Sequence, residues 1–354
     1  MKYAHKHSNN GRRMALRLML WLCVFFPSIG AAQELSFIKS FGCDDCDGIE
    51  LFTLMGDLAV NSEGKIFVLD AYEPHLRVLN SSEPPFGVGK SGQGPGEFEK
   101  PFYIDADGDS NIYILDMSSR RLTIFDKDLT VKSIIKTPGF PMFGGLHPRA
   151  GTFFLVTPDY AHSSSKLFKL NDKAWNRIDM SWEFFEEDRN QFMYFAFSPT
   201  ADGGFSIGEG GSVYLIHKFD EKGLKKGEFR KLMGLTLKTI DEQNEEREGI
   251  RRITTQVGAK GSMKVAEHKR HFYMYSTQID NKGRLWVLSG RSKGRPTVFD
   301  VFDQKGHYLK ETAIHQSLKR FKIHDSFLAG SGEDEQGVAF VSLWEINDAL
   351  LQSN

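Results

Sequence analysis

The side chains most capable of chemistry are scattered along this chain. Nine histidines follow residue 32: His75, His147, His162, His217, His268, His271, His307, His315 and His324. A metal-assisted lyase or hydrolase needs several such ligands converging on one ion, yet these do not recur at one repeat position. Cys43 and Cys46 stand in GCDDCDG. A C-x-x-C pair closes a small disulfide loop in an oxidising compartment, whereas zinc wants two further soft or imidazole ligands. A structural disulfide between Cys43 and Cys46 is therefore expected, with redox-active, metal-bound and unpaired states left open. Haem attachment is disfavoured because Asp47 follows Cys46.

Two other runs mimic ligand loops. GVGKSG from Gly87 contains Gly-Lys-Ser, but Pro84 stands where a phosphate-binding loop needs its first glycine, so a turn is the better reading. Asp105, Asp107 and Asp109 in DADGDSN suggest a calcium loop without its downstream Gly and Glu, so hairpin chemistry accounts for them.

Charge and leader set the address. Lys2, Lys6, Arg12, Arg13 and Arg17 precede the apolar run Leu18 to Phe26, followed by Pro27 and the small residues Gly30-Ala31-Ala32. That order reads as a signal peptide over 1–32, cleaved after Ala32, because the run is short for a membrane span. Met14 is an alternative start, and Leu22 before Cys23 disfavours lipoprotein processing. Without those five bases, 40 basic residues face 46 acidic ones, which argues against a nucleic-acid binder. A periplasmic or secreted monomer with no membrane span after cleavage is the expectation.

The elements that must position any site come from internal repetition. Six segments share a turn residue and then an apolar strand: GKIFVLD from Gly64, SNIYILD from Ser110, GTFFLVT from Gly151, GGFSIGE from Gly203, GRLWVLS from Gly283 and GVAFVSL from Gly337. Their spacings are 46, 41, 52, 80 and 54 residues, and the long interval holds a charged insertion over 236–271. A period of roughly 40 to 50 residues is that of a four-stranded propeller blade. Near-continuous apolar runs such as IFVLD fit a strand covered on both faces. Asn61 to Gly64 and Asp280 to Gly283 supply the hairpin before it. Downstream runs ending at Asn80, Asp126, Asn171, Asp220 and Asp303 give a third strand.

The predicted fold class is thus all-β, a six-bladed β-propeller with four-stranded blades over 33–354. LSFIKSFG, Leu35 to Gly42, matches the outer-strand segment PFGVGKSG at Pro85. The ring should therefore close with this N-terminal outer strand in the last blade.

GQGPGEFEKP at Gly92 to Pro101, an inner strand, and then Ile112 to Arg121 resemble the NHL-type six-bladed propeller proteins exported by many bacteria. The full motif occurs once, and weaker repeats cover most of residues 35 to 347. The resemblance implies the propeller fold and a ligand or protein surface around the channel, without fixing an activity.

Residues ending each buried strand should face one rim: Asp70, Asp116, Thr157, Glu209, Ser289 and Leu343. The first five are the ligand-rim candidates. Asp116 with Arg121, and Asp70 with His75, are expected mainly to tie down their own loops. No cofactor is predicted. A divalent metal such as calcium on these carboxylates would require chelator-sensitive stability. DEQNEEREGIRR, Asp241 to Arg252, is helix-favouring and runs from acidic to basic, as a helix dipole prefers. It suits a solvated helix or a lid and docking element. Two function classes follow: a binding or scaffolding propeller holding a protein, peptide or glycan on one rim, or a metal-assisted lyase or hydrolase in the central channel.

Overall fold

The computed structural model describes residues 34–42, 52, 54–147, 151–159, 164–171, 173–179, 196–208, 214–233, 237–257, 265, 267–268, 277–289 and 296–351. The expected signal peptide, Cys43, Cys46, Glu209, His162 and His271 lie outside them.

The first described strand is β1 (Leu35–Phe41). Blade one is β2 (Met55–Val60), β3 (Ile66–Asp70), β4 (Leu76–Leu79) and β5 (Phe86–Val88). Blade two is β6 (Pro101–Ala106), β7 (Ile112–Asp116), β8 (Arg121–Phe125) and β9 (Val131–Lys136). Blade three is β10 (Phe143–His147), β11 (Thr152–Asp159), β12 (Ser164–Asn171) and β13 (Ala174–Ile178). Blade four is β14 (Ala196–Pro199), β15 (Phe205–Gly208), β16 (Leu215–Phe219) and β17 (Lys225–Arg230), followed by α1 (Ile240–Val257). Blade five is β18 (Thr277–Ile279), β19 (Leu285–Ser289), β20 (Thr297–Phe302) and β21 (Tyr308–Ile314). Blade six takes β22 (Leu318–His324), β23 (Phe327–Glu333) and β24 (Ala339–Ile346), with β1 as its outer strand.

All six sheets are four-stranded and antiparallel. The first strands β2, β6, β10, β14, β18 and β22 touch in succession around the ring, β22 returning to β2. Closure is by hydrogen bonding: Leu35 pairs with Ile346, Ser40 with Ser342 and Phe41 with Val341. Both chain ends of the ring share one sheet, so no seam is left between the first and last blades.

The second strands bear out the expectation of burial on both faces, since every residue of β3 and β7 is buried. Apolar layers fill the gaps between blades; Phe67, Leu69 and Val78 of blade one meet Ile104, Ile112 and Phe125 of blade two. The first hairpins repeat one device. Asn61, Asp107 and Asp280 each accept two backbone N–H groups into one side-chain oxygen, as in Lys65 to Asn61 at 2.9 Å and Arg284 to Asp280 at 2.9 Å.

Blade six corrects one assignment. GVAFVSL is not its second strand but belongs to the third, β24; the second is β23. The hairpin before β23 is a tight turn through Asp325 at φ 49° and contains no glycine. The Asp334 to Gly337 turn has the sequence of a first hairpin but joins the second and third strands. Leu343 therefore lies inside β24, packed against blade one, and leaves the rim set.

α1 also differs from expectation. Thr239 and Glu242 form a reciprocal capping box, Glu242 N donating to Thr239 Oγ1 at 3.2 Å and Thr239 N to Glu242 Oε2 at 2.9 Å. The helix then continues past Arg252 to Val257, so its last turn carries no basic residue and the acidic-to-basic dipole match is lost. No helix of the described residues is long and apolar enough to cross a membrane.

Candidate functional site

Strand direction sorts the loops onto two faces. Each first strand runs to the face bearing the first hairpins; the opposite face collects the loops between second and third strands and the connections between blades. Asp70, Asp116 and Ser289 end their second strands on that opposite face, together with the connection carrying α1. Thr157 is buried inside β11, which extends to Asp159, and so does not end its strand.

The two rim carboxylates are fully buried and already occupied. Asp116 Oδ2 accepts Glu99 N at 2.7 Å and Lys100 N at 3.1 Å, while Oδ1 accepts Ser118 N and Ser119 N, both at 3.0 Å. Asp70 Oδ1 accepts Leu54 N and Tyr72 N, and Oδ2 faces Arg77 at 3.3 Å. Ser289 donates to Val298 O at 3.2 Å.

The G-x-G-P-G-E-F motif folds as the connection between blades one and two. Arg121 donates to the carbonyls of Gln93 at 2.5 Å, Gly94 at 3.2 Å and Glu97 at 2.5 Å. Phe98 plugs the inter-blade core, edge-on to His75. His75 takes the corresponding place in blade one, with Nδ1 3.1 Å from Asp70 O and Nε2 3.1 Å from Ser91 Oγ. Gly92 has φ 150°, a backbone conformation that side-chain-bearing residues rarely adopt, which suits glycine at this turn.

The central channel holds charges that the repeat pattern did not reveal. Lys322 of β22 reaches past blade one to Asp105 of blade two, Nζ to Oδ2 at 2.8 Å, and lies 4.3 Å from the Tyr103 ring centroid. Tyr103 donates to the same Asp105 oxygen at 2.8 Å and accepts Leu146 N of blade three at 3.1 Å. Asp57 of β2 accepts Ile104 N at 3.2 Å and faces Arg320 Nη1 at 3.6 Å. Five side chains from three inner strands thus fasten blades six, one, two and three across the channel.

Asp105 is therefore a channel residue rather than a hairpin acid, which corrects the reading that grouped it with Asp107 and Asp109. Burial pushes the Asp57 carboxyl above the ordinary aspartate range, against the pull of Lys322 and Arg320. Burial, then Asp105, raises the Tyr103 phenol well above its usual value, so it remains a donor. The available sequence signal was polar residues breaking inner-strand runs: MGDLAV, FYIDA and LKRFKIH.

A small, water-sized crevice adjoins this cluster, lined by Tyr103, Asp105 and Lys322 together with Gly144, Ser198 and Gln278. Among the described residues the histidines do not converge. His75 sits at a loop base, His217 on a third strand, His307 in an exposed turn with Asp303 and His324 at the end of an inner strand. Among the described residues no three His, Cys, Asp or Glu side chains are grouped to hold a metal ion.

No family model matches the chain, and no curated protein matches it. Solved structures do. A member of the DUF4221 family from Bacteroides vulgatus superposes with a TM-score of 0.56 at 13% identity, covering 89% of this chain and 98% of that one. A protein from Bacteroides fragilis described as exported gives 0.52 at 13% identity, covering 89% and 95%. Virginiamycin B lyase from Staphylococcus aureus lies lower, at 0.47 and 10% identity over 86% and 98%, too distant to argue from. At these identities the likeness establishes the propeller fold alone.

Proposed function

We propose that the chain is an exported binding propeller that holds a macromolecular ligand on the face carrying the inter-blade connections. Of protein, peptide and glycan, a protein surface fits best. The observation that carries this reading is the connection from β17 to α1, where Leu232, Met233, Leu237 and Ile240 are exposed, Leu232 at 93% and Ile240 at 76%. Exposed aliphatic side chains this close together in sequence are the kind of surface that a partner covers.

The root of that connection is fixed to blade five. Lys231 Nζ meets the buried Asp300 at 2.6 Å and Glu311 at 3.4 Å and lies over Tyr308. Burial works against the Lys231 charge, but the hydrogen bond and attraction of Asp300 outweigh it and raise its pKa. Within the connection, Lys238 pairs with Glu246 of α1, both nearly buried. Lys231 and Lys238 are thus each held beside exposed aliphatic neighbours, which lowers the ordering cost of binding. Export rests on the leader-like order of residues 1–32.

The test is site-specific photo-cross-linking in cells that export the chain. A cross-linker at Leu237 or Ile240 should yield one discrete adduct, lost in a Leu232→Ser, Met233→Ser variant, with no adduct from Phe86 or Ile134. Absence of an adduct, or equal adducts from all four positions, would contradict the proposal.

A further inference from the structure

Blade one departs from blade two at one repeat position, and the departure puts a base beside a hydroxyl. Arg121, which opens β8, gives its guanidinium to three carbonyls and has no atom that accepts a proton. His75, just before β4, is its buried counterpart, and its ring meets one backbone carbonyl and the hydroxyl of Ser91. We propose that His75 and Ser91 form a base and nucleophile pair, in which Ser91 takes acyl groups from neutral, activated carboxylic esters. The pair shares no residue with the aliphatic patch before α1, so this activity is separate from the binding reading.

The partners fix the tautomer. A carbonyl oxygen only accepts, so His75 Nδ1, 3.1 Å from Asp70 O, carries the ring proton. In the neutral ring this leaves the Nε2 lone pair toward Ser91 Oγ at 3.1 Å, the reach over which a base takes a nucleophile's proton. Phe98, edge-on at 6.3 Å and packed in the core between the blades, holds the imidazole in place. Ser91 is exposed by contrast, with its N–H fixed on Glu73 Oε1 at 2.6 Å. That N–H, and then the Ser91 hydroxyl, hold the Glu73 carboxyl below the ordinary glutamate range, so a carboxylate stands near any positive charge formed on His75.

The reaction balances on these groups. Ser91 Oγ bonds to the ester carbonyl carbon as its proton passes to His75 Nε2; the bond to the leaving oxygen breaks, and Nε2 returns the proton to it as an alcohol departs. Water then repeats the sequence on the acyl-serine, releasing a carboxylic acid and restoring the hydroxyl. The surroundings select the acyl group. Leu54 and Tyr72 are exposed at 60% and 59%, and their N–H groups share Asp70 Oδ1, so apolar side chains rise from the root of the same loop. The Glu73 carboxylate repels an anionic acyl group, and a neutral apolar one meets no such cost.

A fluorophosphonate and p-nitrophenyl butyrate test this on the purified full chain. The fluorophosphonate forms an Oγ–P bond and loses fluoride, to which His75 passes the serine proton, and peptide mass mapping should place the label on Ser91 rather than on the exposed Ser82. Ser91→Ala should abolish that label, and His75→Gln should slow it about a hundredfold, the scale of general base catalysis. Release of p-nitrophenolate should show the same losses and run more slowly in D2O. Should His75→Gln fail to fold, iodoacetamide should alkylate Ser91→Cys about tenfold faster than Ser82→Cys, because the same imidazole draws off the thiol proton. The inference is overturned by a label absent from Ser91 or equal on Ser82, by a fall of less than about tenfold in folded His75→Gln, or by equal alkylation of the two thiols. Cross-linking from Leu237 should be unchanged in Ser91→Ala, so the two proposals fail independently.

Discussion

Replacing Asp116 is the sharpest probe of how the rim is built. Its carboxylate holds four backbone N–H groups at 2.7 to 3.1 Å, two from the connection between blades one and two and two from its own loop. Hydrogen bonds to a charged acceptor are worth roughly 1.5 to 3 kcal/mol each, but the four share two oxygens and the freed loop donors regain water. Asp116→Ala should therefore cost about 4 kcal/mol, near the upper end for a single substitution. For a ring of this size that lowers Tm by roughly 6 °C. Asp116→Asn keeps one oxygen and turns an NH2 toward the other two donors, so it should cost about 3 kcal/mol. Calorimetry gives the shift, and hydrogen exchange locates it: amides of Gly92 to Lys100 should lose protection first. A variant melting within about 1 °C of the parent, with that loop still protected, would refute a structural role for this carboxylate.

Asp57→Asn tests the channel by pH. Because burial raises the Asp57 carboxyl, the folded chain keeps a proton that the unfolded chain loses. That contribution is complete below the unfolded aspartate range and is lost as pH rises through the folded value, so the variant should gain on the parent as pH rises above about 4. A pH-independent difference would contradict the burial argument. Thr239→Ala removes one half of the α1 capping box and should cost about 1 kcal/mol of local helix stability, seen as faster exchange at Glu242; unchanged exchange would argue against the cap. Arg121→Met frees three carbonyls and should expose the G-x-G-P-G-E-F connection to proteolysis, while a resistant loop would show that Asp116 and Phe98 suffice to hold it. Chelator should leave Tm unchanged, since backbone donors and Arg77 already surround the rim carboxylates; a drop would restore the calcium reading.

The fold was legible because its determinants are local and periodic. IFVLD and IYILD are buried on both sides, and Asn61, Asp107 and Asp280 cap equivalent hairpins. The same locality caused the error in blade six, where Asp334 to Gly337 has first-hairpin chemistry at a different turn. Repeat reasoning also led toward the ends of the second strands, where Asp70 and Asp116 are recurrent because they fasten loops. The channel groups escaped it because they are not repeated. Asp57, Asp105 and Lys322 come from different blades, and they meet only after some 200 residues of intervening chain close the ring.

That closure underlies every assignment of face and channel, because it brings β22 beside β2 and sets Lys322 opposite Asp105. Ser40 of β1 and Ser342 of β24 are direct partners with their hydroxyl oxygens 2.8 Å apart. With Cys23, Cys43 and Cys46 changed to Ser, the pair Ser40→Cys, Ser342→Cys should oxidise to an intramolecular disulfide, identified by peptide mass mapping. Joining residues so far apart in the chain should stabilise the fold by about 5 kcal/mol. Thiols that stay free under oxidising conditions, or a linked chain no more stable than its reduced form, would contradict the closed ring.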